Sequence, residues 1–217
     1  MRNKFTIFIR RFFKIWIEPR QTLRAILDEQ PGYHVWTFIV VYAFFQAFEP
    51  EYYFFFAGRG PLDVQLLIGL VISIGFDVLA LFFFSGFWLM IGKWMGGKAN
   101  FKEVMTAYAW SYPPSIIGII LLQLGNIPKW LTLLSGETDL KSLLARPHMS
   151  WESPSQGISL LLVGWTTVLL VINLSEAHKI SIPRSIALVL TILVPFTLIV
   201  VVGIALLMLS QLGIHWH

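Results

Sequence analysis

Long runs of apolar residues, separated by short polar stretches, dominate the pattern of hydrophobic and polar positions along this chain. A helix needs about 20 mainly apolar residues to cross the hydrocarbon core of a bilayer. Five segments approach or exceed that length, at about 33–48, 64–91, 101–124, 157–174 and 186–209. The pattern therefore predicts an all-α fold, in which residues 33–210 form a polytopic membrane bundle of five transmembrane helices. The aromatic run at 52–56 is either an interfacial loop or a kinked extension of the first helix.

The first 32 residues have a different periodicity and are predicted to form a separate, basic segment. Apolar side chains recur at helical spacing along one face: Phe5, Phe8, Ile9, Phe12 and Trp16. Such a helix is expected to lie among the headgroups, with its cations against anionic lipids. A basic start that only sets the topology of the first span explains the same pattern. A second short helix is predicted to begin at Pro19 and to end before Pro31.

The third apolar segment contains two consecutive prolines, where a spanning helix should be unbroken. Asn100 and Glu103 have the spacing of a capping box, which predicts a helix that begins at about residue 101. Pro113 and Pro114 each remove a backbone donor and disturb the preceding turn. Disturbed backbone at membrane depth is tolerated only where protein or water surrounds it. The pair therefore predicts a kinked third helix inside the bundle.

The composition agrees with a membrane protein, and the distribution of charge predicts its orientation in the membrane. Only 13% of the residues are charged and the mean hydropathy is +0.71, whereas soluble domains are about 25% charged. Twelve of the 16 lysines and arginines fall before the first span or in the second and fourth connections. The positive-inside bias predicts a cytoplasmic N-terminus, an exported C-terminus and an exported loop at 125–156.

Asp77 lies near the middle of the second predicted span, where a carboxylate costs about 2.5–3.5 kcal/mol on insertion scales. It is therefore expected to face the bundle interior. Its candidate polar partners on other spans are Gln46, Gln123 and Asn173. Either Asp77 is a proton or cation site, or it is an acid that hydrogen-bonds between helices. Gly69 and Gly75 of the same span would permit close helix contact.

Several motifs resemble those of the Yip1 domain of the Yip1/Yif1 superfamily, in its short prokaryotic form. They are a Gly-Gly-x-x-x-Phe turn, a Tyr-Ala pair followed by Pro, and a Ser-x-x-Arg-Ser hairpin. The matching residues are Gly96, Gly97, Phe101, Tyr108, Ala109, Pro113, Ser181, Arg184 and Ser185. The resemblance covers nearly all of residues 15–210. It implies five spans in a bacterial or archaeal cytoplasmic membrane and a role in membrane organisation, scaffolding or partner recruitment.

Other functions have less support. A small ion or solute transporter or channel that uses Asp77 is the alternative, although no inverted repeat is evident. A lipid-active enzyme would need facing polar residues at headgroup depth, and only Glu176 and His178 approach that pattern. Together with Asn173 and Lys179 they end the fourth span, where capping of the helix is favoured over binding of a partner. No enzyme motif, cofactor, metal site or nucleic-acid partner is predicted; a membrane protein or a second copy of this chain is a possible partner.

Overall fold

The computed structural model describes residues 4–49, 62–127, 130–131 and 154–211, and the regular structure in these ranges is α-helical. Within them, eight helices follow one another along the chain: α1 Lys4–Lys14, α2 Pro19–Glu29, α3 Val35–Gln46, α4 Leu62–Trp94, α5 Phe101–Ala109, α6 Pro113–Gly125, α7 Pro154–His178 and α8 Ile182–Gln211. The all-helical membrane fold predicted from the sequence is thereby confirmed.

Helices α5 and α6 together form the interior of the bundle. In this segment 72% of the most apolar window is buried, against 22% in α4, 22% in α7 and 12% in α8. α7 packs along α6 and α5, while α3 packs against α4 and α6. The helix is interrupted between α5 and α6 at residues 110–112, immediately before Pro113. The predicted interior helix with a proline kink is confirmed.

Four helical segments in the described ranges are long and apolar enough to cross a membrane: Val64–Trp94, Phe101–Gly125, Pro154–His178 and Ile182–Gly203. The helices α4, α7 and α8 exceed their predicted bounds because polar residues at a helix end still make backbone hydrogen bonds. α3 has 12 residues, about 18 Å at about 1.5 Å per residue, so the fifth crossing stays a prediction. The aromatic run at 52–56 and most of the predicted loop 125–156 lie outside the described residues.

The predicted apolar face of α1 is divided between the bundle and the surroundings. The rings of Phe8 and Phe12 lie 5.6 and 6.3 Å from the ring of Phe38 on α3. Phe5 and Ile9 are exposed instead. The helix therefore does not present the whole of this face to a headgroup layer. Its exposed apolar row consists of Phe5, Ile9 and Phe13, which are four residues apart, and Ile17 continues the row in the turn after the helix.

The buried residues of α4 form a narrow row toward the other helices, and its members recur every three or four residues. The row consists of Gly69, Ser73, Asp77, Leu81, Ser85, Trp88 and Gly92. Gly69 is buried, in agreement with a close-contact role. Gly75 is exposed, and a β-carbon there would have no neighbour within 4 Å. The close contact that we expected at Gly75 is therefore absent.

Candidate functional site

Asp77 is buried in the middle of the inward-facing row of α4, as its position in the second span predicts. Its side chain is 4% exposed. Its Oδ2 atom has no hydrogen-bond partner among the residues that the structure describes. A buried carboxylate oxygen without a partner is costly in a low-dielectric interior. Asp77 is thus a buried acid of a spanning helix with one oxygen left unpaired.

Two tyrosines of the central segment lie near this carboxyl group. The Tyr112 hydroxyl donates a hydrogen bond to the Tyr108 hydroxyl over 2.8 Å, and Asp77 interacts electrostatically with both. The ring of Tyr42 on α3 packs edge-on against Tyr112 at 5.1 Å. The Asp77 carboxyl group thus lies within electrostatic range of a pair of hydrogen-bonded phenols. Such groups can exchange a proton or bind a polar ligand.

The three amide side chains proposed as partners of Asp77 lie elsewhere. Gln123 donates from Nε2 to the Phe45 carbonyl over 3.1 Å and joins α6 to α3. Asn173 donates from Nδ2 to the carbonyl of Ala107 and to Oγ of Ser111. Gln46, near the end of α3, has a buried Oε1 atom without a partner in the described part of the chain. The structure thus brings Asp77 together with tyrosines rather than with amides.

Asn173 instead supports the backbone at the kink. The Ser111 amide bonds to the carbonyl of Tyr108, three residues back, so the carbonyl of Ala107 loses its usual helical partner. This carbonyl accepts from Oγ of Ser111 over 2.8 Å and from Nδ2 of Asn173 over 3.2 Å. Exposed backbone groups in a membrane must find such partners. A neighbouring helix therefore shields the broken turn.

Each of the two glycines of the Gly-Gly-x-x-x-Phe turn is required for a different structural reason. Gly96 has φ +85°, a left-handed conformation that side chains rarely adopt. A β-carbon at Gly97 would lie 2.7 Å from the Gly92 carbonyl oxygen and less than 3.0 Å from the ring of His178. The same capping box that the sequence predicts then starts α5, with mutual bonds of 2.8 and 3.0 Å between Asn100 and Glu103.

His178, the last residue of α7, fills the space that two glycines leave open. The side chain is 0% exposed, and a β-carbon at Gly92 would lie less than 3.0 Å from three of its ring atoms. The Lys98 amide donates to the His178 carbonyl over 3.0 Å. Neither ring nitrogen has a hydrogen-bond partner of good geometry within the described ranges. His178 is therefore a packing residue that fixes the end of α7 to the end of α4.

The remaining motif residues are placed by packing or by a single hydrogen bond. The ring of Phe101 stacks on that of Phe82 at 6.0 Å. Ser185 donates from Oγ to the Val171 carbonyl over 2.6 Å and joins α8 to α7. Arg184 is exposed at the start of α8. Phe101 and Ser185 thus contribute to helix packing, while Arg184 adds a cation to the surface.

One end of the bundle, which we call the basic end, contains α1, α2, the turn between α4 and α5 and the turn between α7 and α8. Arg24 forms an ion pair with Glu176 at 2.7 Å, which ties α2 to α7. This hydrogen bond and the charge of Glu176 raise the pKa of Arg24. The Gly32 amide donates to Oγ1 of Thr106 over 2.8 Å, which ties the turn after α2 to α5.

An interior broken helix, surrounded by long apolar helices, defines this chain as a multi-pass integral membrane protein. The chain belongs to the Yip1 domain family, which matches residues 13–205. Comparisons with curated proteins and with solved structures returned no significant match. The family assignment confirms the resemblance carried by the glycine turn, the Tyr-Ala-Pro segment and the Ser-x-x-Arg-Ser hairpin.

Proposed function

We propose that this protein is a non-enzymatic membrane organiser or scaffold, which acts through the surface of its basic end. The observation that carries the proposal is the structure of α1. This helix holds one face against the bundle and leaves an apolar row exposed, with Ile9 37% and Phe13 62% accessible. Arg10 and Lys14 lie on the same helix. An apolar row next to cations is typical of a helix that binds an anionic membrane surface.

In this proposal the basic end faces the cytosol, where anionic lipids supply the complementary charge. The chain then crosses the membrane five times, with α3 as the first crossing and the C-terminus exported. Reporter proteins that are active only in the cytosol, fused to either end, measure this directly. We expect activity from the N-terminal fusion alone; activity from both fusions would contradict the odd number of crossings.

A membrane-shaping role predicts that the protein changes vesicles that contain anionic lipid. We expect reconstituted protein to narrow or tubulate such vesicles, because insertion of α1 expands one leaflet. The double variant Ile9→Ser with Phe13→Ser should lose most of this effect, since both side chains belong to the exposed row. Electron cryomicroscopy of the vesicles measures the change. The double variant Ile9→Leu with Phe13→Leu, which keeps the row apolar, is the matched control.

The same vesicles test the transporter alternative, which the buried Oδ2 of Asp77 favours. A pH- or cation-driven flux that disappears in Asp77→Asn but persists in Ser85→Ala would contradict the scaffold proposal. Ser85 is the control because it is a buried polar residue of the same row of α4. If neither the unsubstituted protein nor any variant changes the shape of the vesicles, the scaffold proposal is also contradicted. We expect no flux in any of the proteins.

A further inference from the structure

An apolar groove runs between the segment that joins α1 to α2 and the adjacent parts of α7 and α8. Its volume is about 650 Å³, within the range of about 300–1,000 Å³ that small-molecule sites occupy. The walls consist of Ile17, Val168, Val171, Ile172, Ile182 and Ile186. Val168 and Ile186 are each 43% exposed, so no helix of the described chain covers them. The groove can therefore accept an apolar chain from the surrounding membrane.

One end of this groove is cationic. Arg20 lines both the groove and an adjoining polar cavity of about 370 Å³, to which Arg24, Glu176 and Lys179 also contribute. Glu176 is already paired with Arg24 at 2.7 Å. Glu18, which also lines the groove, is paired with Lys14 at 3.1 Å. Within the described ranges, no ion pair neutralises Arg20 or Lys179, so the shared end has an excess of positive charge.

The backbone at Lys179 is also unusual. Lys179 has φ +56°, in the left-handed region that favours glycine, directly after the end of α7. The conformation closes α7 as a Schellman motif, since the Ile180 amide donates to the Ser175 carbonyl over 3.1 Å and the Lys179 amide to the Glu176 carbonyl over 3.3 Å. Here it places a lysine at the cavity that continues the apolar groove. The charge and the groove thus point to the same ligand.

We propose that this groove binds one anionic phospholipid, with an acyl chain along the walls of α7 and α8 and the phosphate against Arg20 and Lys179. Phosphate suits these residues because lysine and arginine both bind phosphate oxygens, and arginine can do so with two parallel hydrogen bonds. A bound lipid would fill the space between α2 and the α7–α8 hairpin. The inference deepens the proposed function and rests on its placement of the basic end among lipid headgroups.

Native mass spectrometry of the intact protein, released from detergent, tests the charge requirement. We expect phosphatidylglycerol to be retained about tenfold more than phosphatidylcholine with the same chains. The double variant Arg20→Gln with Lys179→Asn should lose that preference, and asparagine tolerates the left-handed conformation. Lys93→Gln with Lys98→Gln is the matched double control, because both are exposed cations of the same end that do not line the groove. An equal loss in the Lys93→Gln and Lys98→Gln double variant would overturn the site in favour of general surface charge.

A second pair of variants tests the apolar walls. Ile186→Trp should fill the groove and reduce retention of phosphatidylglycerol about tenfold. Ile199→Trp on the same helix should leave retention unchanged, because Ile199 is 70% exposed and lies outside the groove. Glycerol phosphate, which lacks acyl chains, should not compete. The proposal would be overturned if glycerol phosphate displaced phosphatidylglycerol, or if both tryptophan variants reduced its retention equally. It would also be overturned if the protein were a lipid-free dimer in place of the lipid-bound monomer.

The lipid-retention assay and the vesicle-shape assay test different residues, so a negative result in one does not determine the result of the other. Loss of shape change with Ile9→Ser and Phe13→Ser concerns the exposed row of α1, and neither residue lines the groove. Normal shaping without retained lipid would overturn the lipid site alone. Retained lipid without shaping would overturn only the proposed function.

Discussion

Replacing Gly92 by alanine is expected to destabilise the protein by about 1–3 kcal/mol, the usual cost of forcing extra atoms into a packed interior. The new β-carbon would lie less than 3.0 Å from three ring atoms of His178, which is 0% exposed and has no room to move. For a chain of this size, each kcal/mol lowers the unfolding temperature by about 2–4 °C. Thermal unfolding of the detergent-solubilised protein measures the effect.

Two further variants separate this contact from a general effect of alanine. Gly75→Ala on the same helix should be neutral or slightly stabilising, because nothing lies within 4 Å of its β-carbon and alanine favours helix more than glycine does. In Gly92→Ala with His178→Ala the new methyl group occupies space vacated by the ring. We therefore expect the double variant to lose less stability than the sum of the two single variants. Additive losses would show that the two residues are not coupled.

The contact between Gly92 and His178 also marks a limit of sequence reasoning. The sequence placed His178 at a helix end, where capping and partner binding were the expected roles. Its real neighbours are on α4 and in the Gly-Gly turn, far away along the chain. The motif pointed to Gly97 but gave no reason for it, and it did not include Gly92. A glycine one turn before a Gly-Gly turn was the available signal that a large side chain packs there.

The kink was predictable because its cause is local. Pro113 and Pro114 remove backbone donors wherever the chain is placed, and a broken turn must lie inside a bundle. The environment of Asp77 was predicted only in part, for the opposite reason. Depth in a span can be counted from the sequence, which correctly made Asp77 a buried residue. The rotation of the neighbouring helices cannot be counted, and that rotation brings Tyr108 and Tyr112 to the carboxyl group.

The same limit applies to α1. Helical periodicity identified an amphipathic helix, but it did not show that Phe8 and Phe12 would pack on α3 while Ile9 stayed exposed. The link between α1 and the bundle is an aromatic cluster around Trp110, at the kink. The ring of Trp110 lies 4.8 Å from that of Phe38 and 6.2 Å from that of Phe8. The interior kink and the surface helix are therefore parts of one packing unit.

Trp110→Ala should accordingly cause the largest loss of stability among single substitutions considered, about 3–5 kcal/mol. Trp110 is a fully buried side chain, and its Nε1 donates to the Tyr33 carbonyl over 3.0 Å. Because native stability is about 5–15 kcal/mol, the variant loses a large part of it. We expect α1 to separate from the bundle before the rest unfolds, since Phe8 loses one of the rings against which it packs and Phe38 loses its indole neighbour. Thermal unfolding and amide hydrogen exchange in residues 4–14 measure the two effects.

Trp110→Phe should retain most of the packing and lose the hydrogen bond to Tyr33, at a cost of about 0.5–1.5 kcal/mol for that bond. Trp94→Ala is the control for removing an indole, because Trp94 is 79% exposed at the end of α4. Faster exchange in α1 should therefore occur in Trp110→Ala and be absent in Trp94→Ala. If both alanine variants unfold at the same temperature, or if α1 keeps its protection in Trp110→Ala, the aromatic cluster does not hold the basic helix in place. The proposed action of α1 on the membrane would then need another anchor, such as the ion pair between Arg11 and Glu29 that ties α1 to α2.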